Sequence, residues 1–298
     1  MLTVVVGLVS ALVYGAADFL GGSASRRISP VRVTAVAAVT GLVVLLAALP
    51  FVGGTWSREA VLLGALSGLT GAVAIGLLYA CLAIGPMSIL SPLTAVVSAV
   101  VPLTIGLAGG ERLGPIGYVA LALALVAVVL VGFVPEKGAV RPRLVGVAMA
   151  VGSGLAIGLF LVIIDQTPDD SGLVPLVLNR AASGAILFAA VGVLFIYGRS
   201  RRSRSDRIQT PDTPAPDTRG WRPGLALAVL CGVVDAAANT GLLIGLRIGE
   251  LSVMAVLTAL YPAGTIILAA IVLKERIAPV QVAGLVLAVA AGAMLALA

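Results

Sequence analysis

Three side chains place a charge inside long apolar runs of the sequence: Asp18, Arg180 and Asp235. A charge in hydrocarbon is expensive, so each implies a partner, a ligand or a water-filled cavity. The types present suit recognition of small charged groups: the Arg180 guanidinium for a carboxylate, Asp235 for an ammonium, and Asn239 as a neutral donor and acceptor. Counted inward from the loop joining their two runs, Arg180 is 17 residues from 197 and Asn239 is 17 residues from 222. Asp235 lies one helical turn short of that level, about 6 Å, a distance an arginine side chain spans. Arg180 and Asp235 can therefore meet. Two readings of such a pair stand: a substrate site, or a structural ion pair that locks two helices together. Asp18 also has two readings. It lies about two turns from Arg26 and either snorkels to the membrane surface or faces a lumen and carries protons. With neutral polar neighbours, the candidates for substrate binding or coupling are Tyr14, Asp18, Tyr79, Ser98, Asn179, Arg180, Asp235, Asn239, Thr258 and Tyr261.

The composition removes other chemistry. There is no histidine, which excludes His-based triads, zincin-type metal sites and imidazole acid–base catalysis. Cys81 and Cys231 both fall in apolar runs and form neither a disulfide framework nor a CxxC site. No GxxxxGK[ST] phosphate loop occurs. No cofactor, metal or catalytic set is expected. The basic balance (pI ≈ 9.9) comes without an aromatic platform, so nucleic acid is not an expected partner.

The elements that must hold these residues are membrane helices. Of the 298 residues 60% are hydrophobic and 11% charged, with a mean hydropathy of +1.16; soluble domains carry about 25% charged residues. Apolar runs fall at 2–22, 31–52, 60–83, 87–108, 113–134, 144–164, 172–197, 223–246, 250–273 and 277–297. Each suits a helix of about 20 residues, because hydrocarbon leaves backbone polar groups only internal partners. Strands of a barrel would need runs half as long, with alternation that is absent. The opening MLTVVVGLVSALVYGA lacks a basic n-region, so the first run is expected to stay in the mature protein. Prolines 92, 102 and 262 within runs predict kinked or broken helices.

The chain also repeats itself. A shift of 164 residues brings Gly68 onto Gly232, Leu93-Thr94-Ala95 onto Leu257-Thr258-Ala259, and Glu111-Arg112 with Pro115 onto Glu275-Arg276 with Pro279. A shift of 143 brings Ser10, Leu12 and Gly15 onto Ser153, Leu155 and Gly158, and Pro30 meets Pro175 at 145. Equivalent runs are five apart, and five is odd, so the second copy enters from the opposite face of the membrane. The expected fold is an all-α integral membrane protein of ten transmembrane helices in a 5+5 inverted-topology repeat, residues 1–138 and 139–298. That build recurs in secondary transporters, with a site near the midplane between the halves. The paired Glu111 and Glu275 read as structural. Each precedes a helix, where acid complements the dipole and the proline four residues on costs no hydrogen bond.

Fifteen of the Lys and Arg residues sit in connections 1–2, 5–6, 7–8 and 9–10, against Arg58, Arg112 and Arg247 in those on the other side. The positive-inside rule makes the fifteen-residue face cytoplasmic and puts both termini outside. Residues 198–221, rich in Arg, Ser, Pro and Asp, cannot form a core and read as a disordered basic loop on the cytoplasmic side.

Gly-Glu-Arg-Leu-Gly-Pro (110–115), Lys-Glu-Arg-Ile-Ala-Pro (274–279) and the pair Tyr14-Gly15 give the chain a specific likeness. It resembles the EamA family of the drug/metabolite transporter (DMT) superfamily over its whole length. Pro262 stands where the family has a proline before the repeat glutamate, whereas Ser98 holds that place in the first half. Tyr14 stands where a span-1 tryptophan is common. The resemblance implies a permease of small metabolites, amino acids among them, in the cell membrane, and it implies termini in the cytoplasm, opposite to the charge count. The resulting expectation is a non-ATP secondary transporter, more an exporter than an importer, with a small-molecule substrate, the lipid bilayer as its surroundings and protons as a candidate coupling ion. The alternatives are a membrane-embedded enzyme acting on a lipid-linked substrate, or a drug- or sugar-type permease of the same fold.

Overall fold

The structure, a computed structural model, describes residues 1–28, 30–84, 87–132, 143–205, 221–274 and 276–297. These form helices α1 (Leu2–Ser25), α2 (Pro30–Val52), α3 (Arg58–Ile84), α4 (Met87–Ala108), α5 (Pro115–Gly132), α6 (Leu144–Asp165), α7 (Val174–Ser205), α8 (Trp221–Ile248), α9 (Leu251–Thr258), α10 (Tyr261–Val272) and α11 (Pro279–Leu297). A single 3₁₀ turn, Asp169–Ser171, precedes α7, and the described residues contain no strand. Eight segments, with α9 and α10 taken together as one, are long and apolar enough to cross a bilayer. Leu93–Ala108 of α4 and Val174–Ala189 of α7 are shorter apolar stretches, which brings the crossings to the ten expected.

The ninth apolar run is two helices. Pro262 has no N–H to return to the Thr258 carbonyl, and the chain leaves helical geometry at Ala259–Leu260 before α10 starts with the proline in its first turn. Pro262 coincides with a break, whereas α4 runs through Pro92 and Pro102 as one helix. α7 also departs from expectation, continuing to Ser205, past the boundary at 197. No proline interrupts 198–205, and its arginines are good helix formers. The rest of the basic loop, 206–220, lies outside the described residues.

Packing follows small residues. On α5 the buried positions are Gly117, Ala120, Leu121, Ala124, Ala127, Val128 and Val131, a single face, set against Gly284, Ala288, Ala291, Gly292 and Leu295 of α11. Large side chains such as Val43, Leu69, Val126 and Val289 point outward, as a lipid-facing surface requires. Other extensive contacts join α1 with α8 and α10, α3 with α6 and α7, α4 with α6 and α9, and α2 with α7 and α8. All eight residues of α9 are buried. Its Val253, Val256 and Leu257 belong to one apolar cluster and its Leu251, Met254 and Ala255 to another, so this half-helix is the centre of the bundle.

Candidate functional site

The Arg180 side chain leaves α7, passes over Gly41 of α2 and donates from Nη2 to Oδ2 of Asp235 on α8. A Cβ at Gly41 would already touch Arg180 Cδ and Nε at 3.7 Å, so a larger residue there would obstruct the arm. The two side chains are 16% and 26% exposed, which makes this an ion pair largely sheltered from solvent within the bundle. Tyr14 of α1 packs against the apolar cluster that includes Ala236, the residue after Asp235 on α8. Cys231, one turn before Asp235, donates from Sγ to the Ala17 carbonyl and ties α8 to α1 beside Asp18.

α1 is placed by glycine. A Cβ at Gly15 would fall on the backbone of Tyr261, Gly264 and Thr265, so only glycine lets α1 abut the helix break. Thr265 Oγ1 seals the contact by donating to the Gly15 carbonyl at 3.1 Å. Three residues on, Asp18 lines a cavity of about 210 Å³ with Tyr261, Pro262, Thr265 and Gln281, walled by Val131 and Gly132 of α5. Gln281 is buried, accepts from Ala278 N at 3.1 Å and donates to the Val131 carbonyl at 3.4 Å. It was not among the sequence candidates. Its signal was a lone amide inside an apolar run.

Tyr14, Asp18, Arg180 and Asp235 are thus brought together, and Tyr261 joins Asp18 across the cavity. Asn239 lies one turn from Asp235 and donates to its backbone carbonyl at 2.8 Å, on the same helix. Asn179 points elsewhere. Its Nδ2 donates to Ser67 Oγ at 3.0 Å and joins α7 to α3. Ser98 is buried and donates to Ala95 O at 2.8 Å, a local bond within α4. Thr258, at the end of α9, is buried with its hydroxyl unpartnered, as is Ser252. The Tyr79 side chain lies outside the described residues.

Glu111 corrects its sequence reading in one respect. Its carboxylate accepts from Leu251 N at 2.8 Å and Ser252 N at 3.1 Å, so it caps α9 of the second half rather than serving the helix that follows it. The N–H groups that open α9 lack partners within the helix, and this carboxylate supplies one. Glu275 lies outside the described residues. Partial desolvation of this otherwise exposed residue and the neighbouring Glu111 push the Glu250 carboxyl above its ordinary range.

The model of the EamA-like transporter family matches residues 1–133 and 144–297. A solved crystal structure of a protein 19% identical to this chain has a TM-score of 0.72, with 99% of this chain and 98% of that chain covered, a likeness of fold. No curated protein matches.

Proposed function

This chain belongs to the EamA-like transporter family, within the drug/metabolite transporter superfamily, and from that premise we propose that it is a secondary transporter, not an enzyme, moving small polar metabolites such as amino acids by alternating access. It is a multi-pass integral membrane protein, and membership implies a small-molecule substrate. The observation that carries the proposal is the Arg180–Asp235 pair within membrane-spanning helices, with α1 tied to α8 beside Asp18 and Tyr14 packed next to Asp235. A sheltered ion pair is a weak source of stability, and a pair that opens to a zwitterion offers both counter-charges at once. Asp18 then adds a further carboxylate, suited to a coupling proton. Export is the favoured direction, and the fifteen-residue charge face is placed in the cytoplasm of cells whose plasma membrane holds the protein.

The 5+5 inverted repeat, with its boundary near 138–139, is part of this reading. Exchanging the halves turns α1 on α8 into α6 on α3, α1 on α10 into α6 on α4, and α2 on α8 into α7 on α3, all of them neighbours. Single residues support it. A Cβ at Gly158 would fall on Val101, and the shifts of 143 and 164 turn that contact into Gly15 on Thr265. A Cβ at Gly68 would fall on Asn179 and Ala182, and one at Gly232 on Ala37 and Thr40. That pairing relates α2 to α7 by 142 residues in place of 145 and makes Ala38 the counterpart of Arg180. The charged pair then belongs to one half only, as suits a ligand site better than a shared scaffold.

The test is purified protein in liposomes loaded with an equimolar mixture of the twenty protein amino acids carrying a nitrogen isotope. Efflux of one or more, chemically unchanged, supports the reading. Conversion of a lipid-linked substrate without amino-acid flux would replace it with the enzyme reading.

A further inference from the structure

The connections on the arginine-poor face are bonded to one another, and the bonds run from one half of the chain to the other. Thr3 Oγ1 donates to Ile248 O at 3.1 Å. Thr55 N and Oγ1 donate to Asp170 O and Oδ2 at 2.9 and 2.8 Å, and Leu173 N donates to Gly53 O at 3.3 Å. Glu111 holds Leu251 N and Ser252 N. The α2–α3 and α6–α7 connections approach so closely that a Cβ at Gly54 would fall on Ser171, and one at Gly172 on Gly53. Both glycines have positive φ, +147° and +49°, which side chains rarely adopt.

Arg247 shapes the second partner. From the last turn of α8 it donates to Thr167 O, to Thr167 Oγ1 at 2.6 Å, to Pro168 O at 3.0 Å and to Asp169 Oδ1 at 3.1 Å, with its own side chain 18% exposed. One guanidinium therefore fixes the turn that presents Asp170 to Thr55.

We propose that these contacts form a latch that holds the arginine-poor face closed in this state, with Arg247 as its positioning residue, and that each transport cycle opens it. The proposal rests on the transporter reading. If the halves part around a central site, the bonds from Thr3, Thr55, Leu173 and Glu111 across the halves must break when that face opens. Their placement on one face makes them a set that opens together.

The test uses Thr55→Cys with Asp170→Cys, in a Cys81→Ser, Cys231→Ser background, in liposomes holding the amino-acid mixture described above. The reference is the flux of this same double-cysteine protein with its thiols reduced. Once oxidised to the disulfide, flux falls at least tenfold and returns on reduction. Unchanged flux through fully cross-linked protein overturns the latch. A second measurement needs no substrate and separates failure of the latch from failure of the transporter reading. Ser252→Cys, buried behind Glu111, is labelled with maleimide in detergent, with and without Arg247→Ala. The arginine substitution accelerates labelling at least fivefold, and the Thr55–Asp170 cross-link slows it at least fivefold. Labelling rates unaffected by both changes overturn the latch whether or not any amino acid is moved.

Discussion

The Thr265 hydroxyl donates to the Gly15 carbonyl at 3.1 Å, at a point where α1 rests directly on the start of α10. That contact sets the rotation of α1 and with it the direction of Asp18, which lies three residues further along and faces the cavity beside Tyr261. The geometry of the candidate site is thus fixed by a glycine that touches no charge.

Gly15→Ala tests this directly. The added methyl meets backbone, which cannot rotate away, so overpacking of about 1–3 kcal/mol is expected. The unfolding midpoint in detergent falls, and flux falls with it. Gly22→Ala, on the same helix with nothing within 4 Å of its Cβ position, leaves both unchanged. Equal melting points for the two variants would remove the argument that this contact is tight.

Much of this arrangement was legible in the sequence because it depends on local physical rules. Pro262 removes one hydrogen bond from its helix, so a kink or break in the ninth run could be expected, although the same loss at Pro92 and Pro102 leaves α4 one helix. Arg180 and Asp235 occupy consecutive antiparallel helices, so counting from their shared loop placed them within reach. Glu111 was harder. Its partners are the α9 N–H groups 140 residues away, and a carboxylate after one helix and before another looks complete without them. Ser98 shows the opposite difficulty, since a hydroxyl in a helix can satisfy itself on the carbonyl three residues back, so its presence in an apolar run does not require a ligand. Asn179 and Arg180 are adjacent in sequence yet face α3 and α8 respectively, a divergence that follows from the 100° step of the helix once the neighbours are known.

Orientation is checked with Trp56→Cys. Trp56 is 59% exposed in the α2–α3 connection, on the arginine-poor face, whereas Cys81 is buried and Cys231 is partly buried within α8. On the charge-rule reading this face lies outside the cell. An impermeant maleimide therefore labels the variant in intact cells. Protection until lysis would reverse the orientation and place the termini in the cytoplasm.

The latch is expected to respond to pH through Glu250. Partial burial, then Glu111 beside it and Asp165 beyond, raise its carboxyl above the ordinary range. A carboxyl raised in the folded protein contributes stability that is full below its ordinary value and lost as pH rises through the raised one. Protonated Glu250 also keeps a donor for Glu111. Glu250 therefore holds the first turn of α9 more firmly when protonated than when ionised, and its contribution is lost as pH rises through its raised value. Maleimide labelling of Ser252→Cys, divided at each pH by the rate in the same protein with Glu250→Gln, rises across that window. A ratio independent of pH would show that Glu250 takes no part.

The ion pair itself is decided by comparing two singles with a double. Asp235→Asn removes one charge with little change of shape and leaves Arg180 sheltered and unpaired, which costs about 3–5 kcal/mol if nothing else compensates. A purely structural pair then gives a poorly folded Asp235→Asn protein whose yield recovers when Arg180→Gln is added. A binding pair behaves differently, because water or substrate in the site can meet the lone guanidinium. Asp235→Asn is then recovered folded from the membrane, with flux of the amino-acid mixture reduced at least tenfold, and the double variant folds but does not regain flux. Gly41 supplies a further check, since Gly41→Leu would crowd the Arg180 arm, and also the Gly232 carbonyl of α8, while leaving both charges in the chain. Loss of flux in that variant at normal yield supports the binding role, and wild-type flux in the Arg180→Gln, Asp235→Asn double would exclude it.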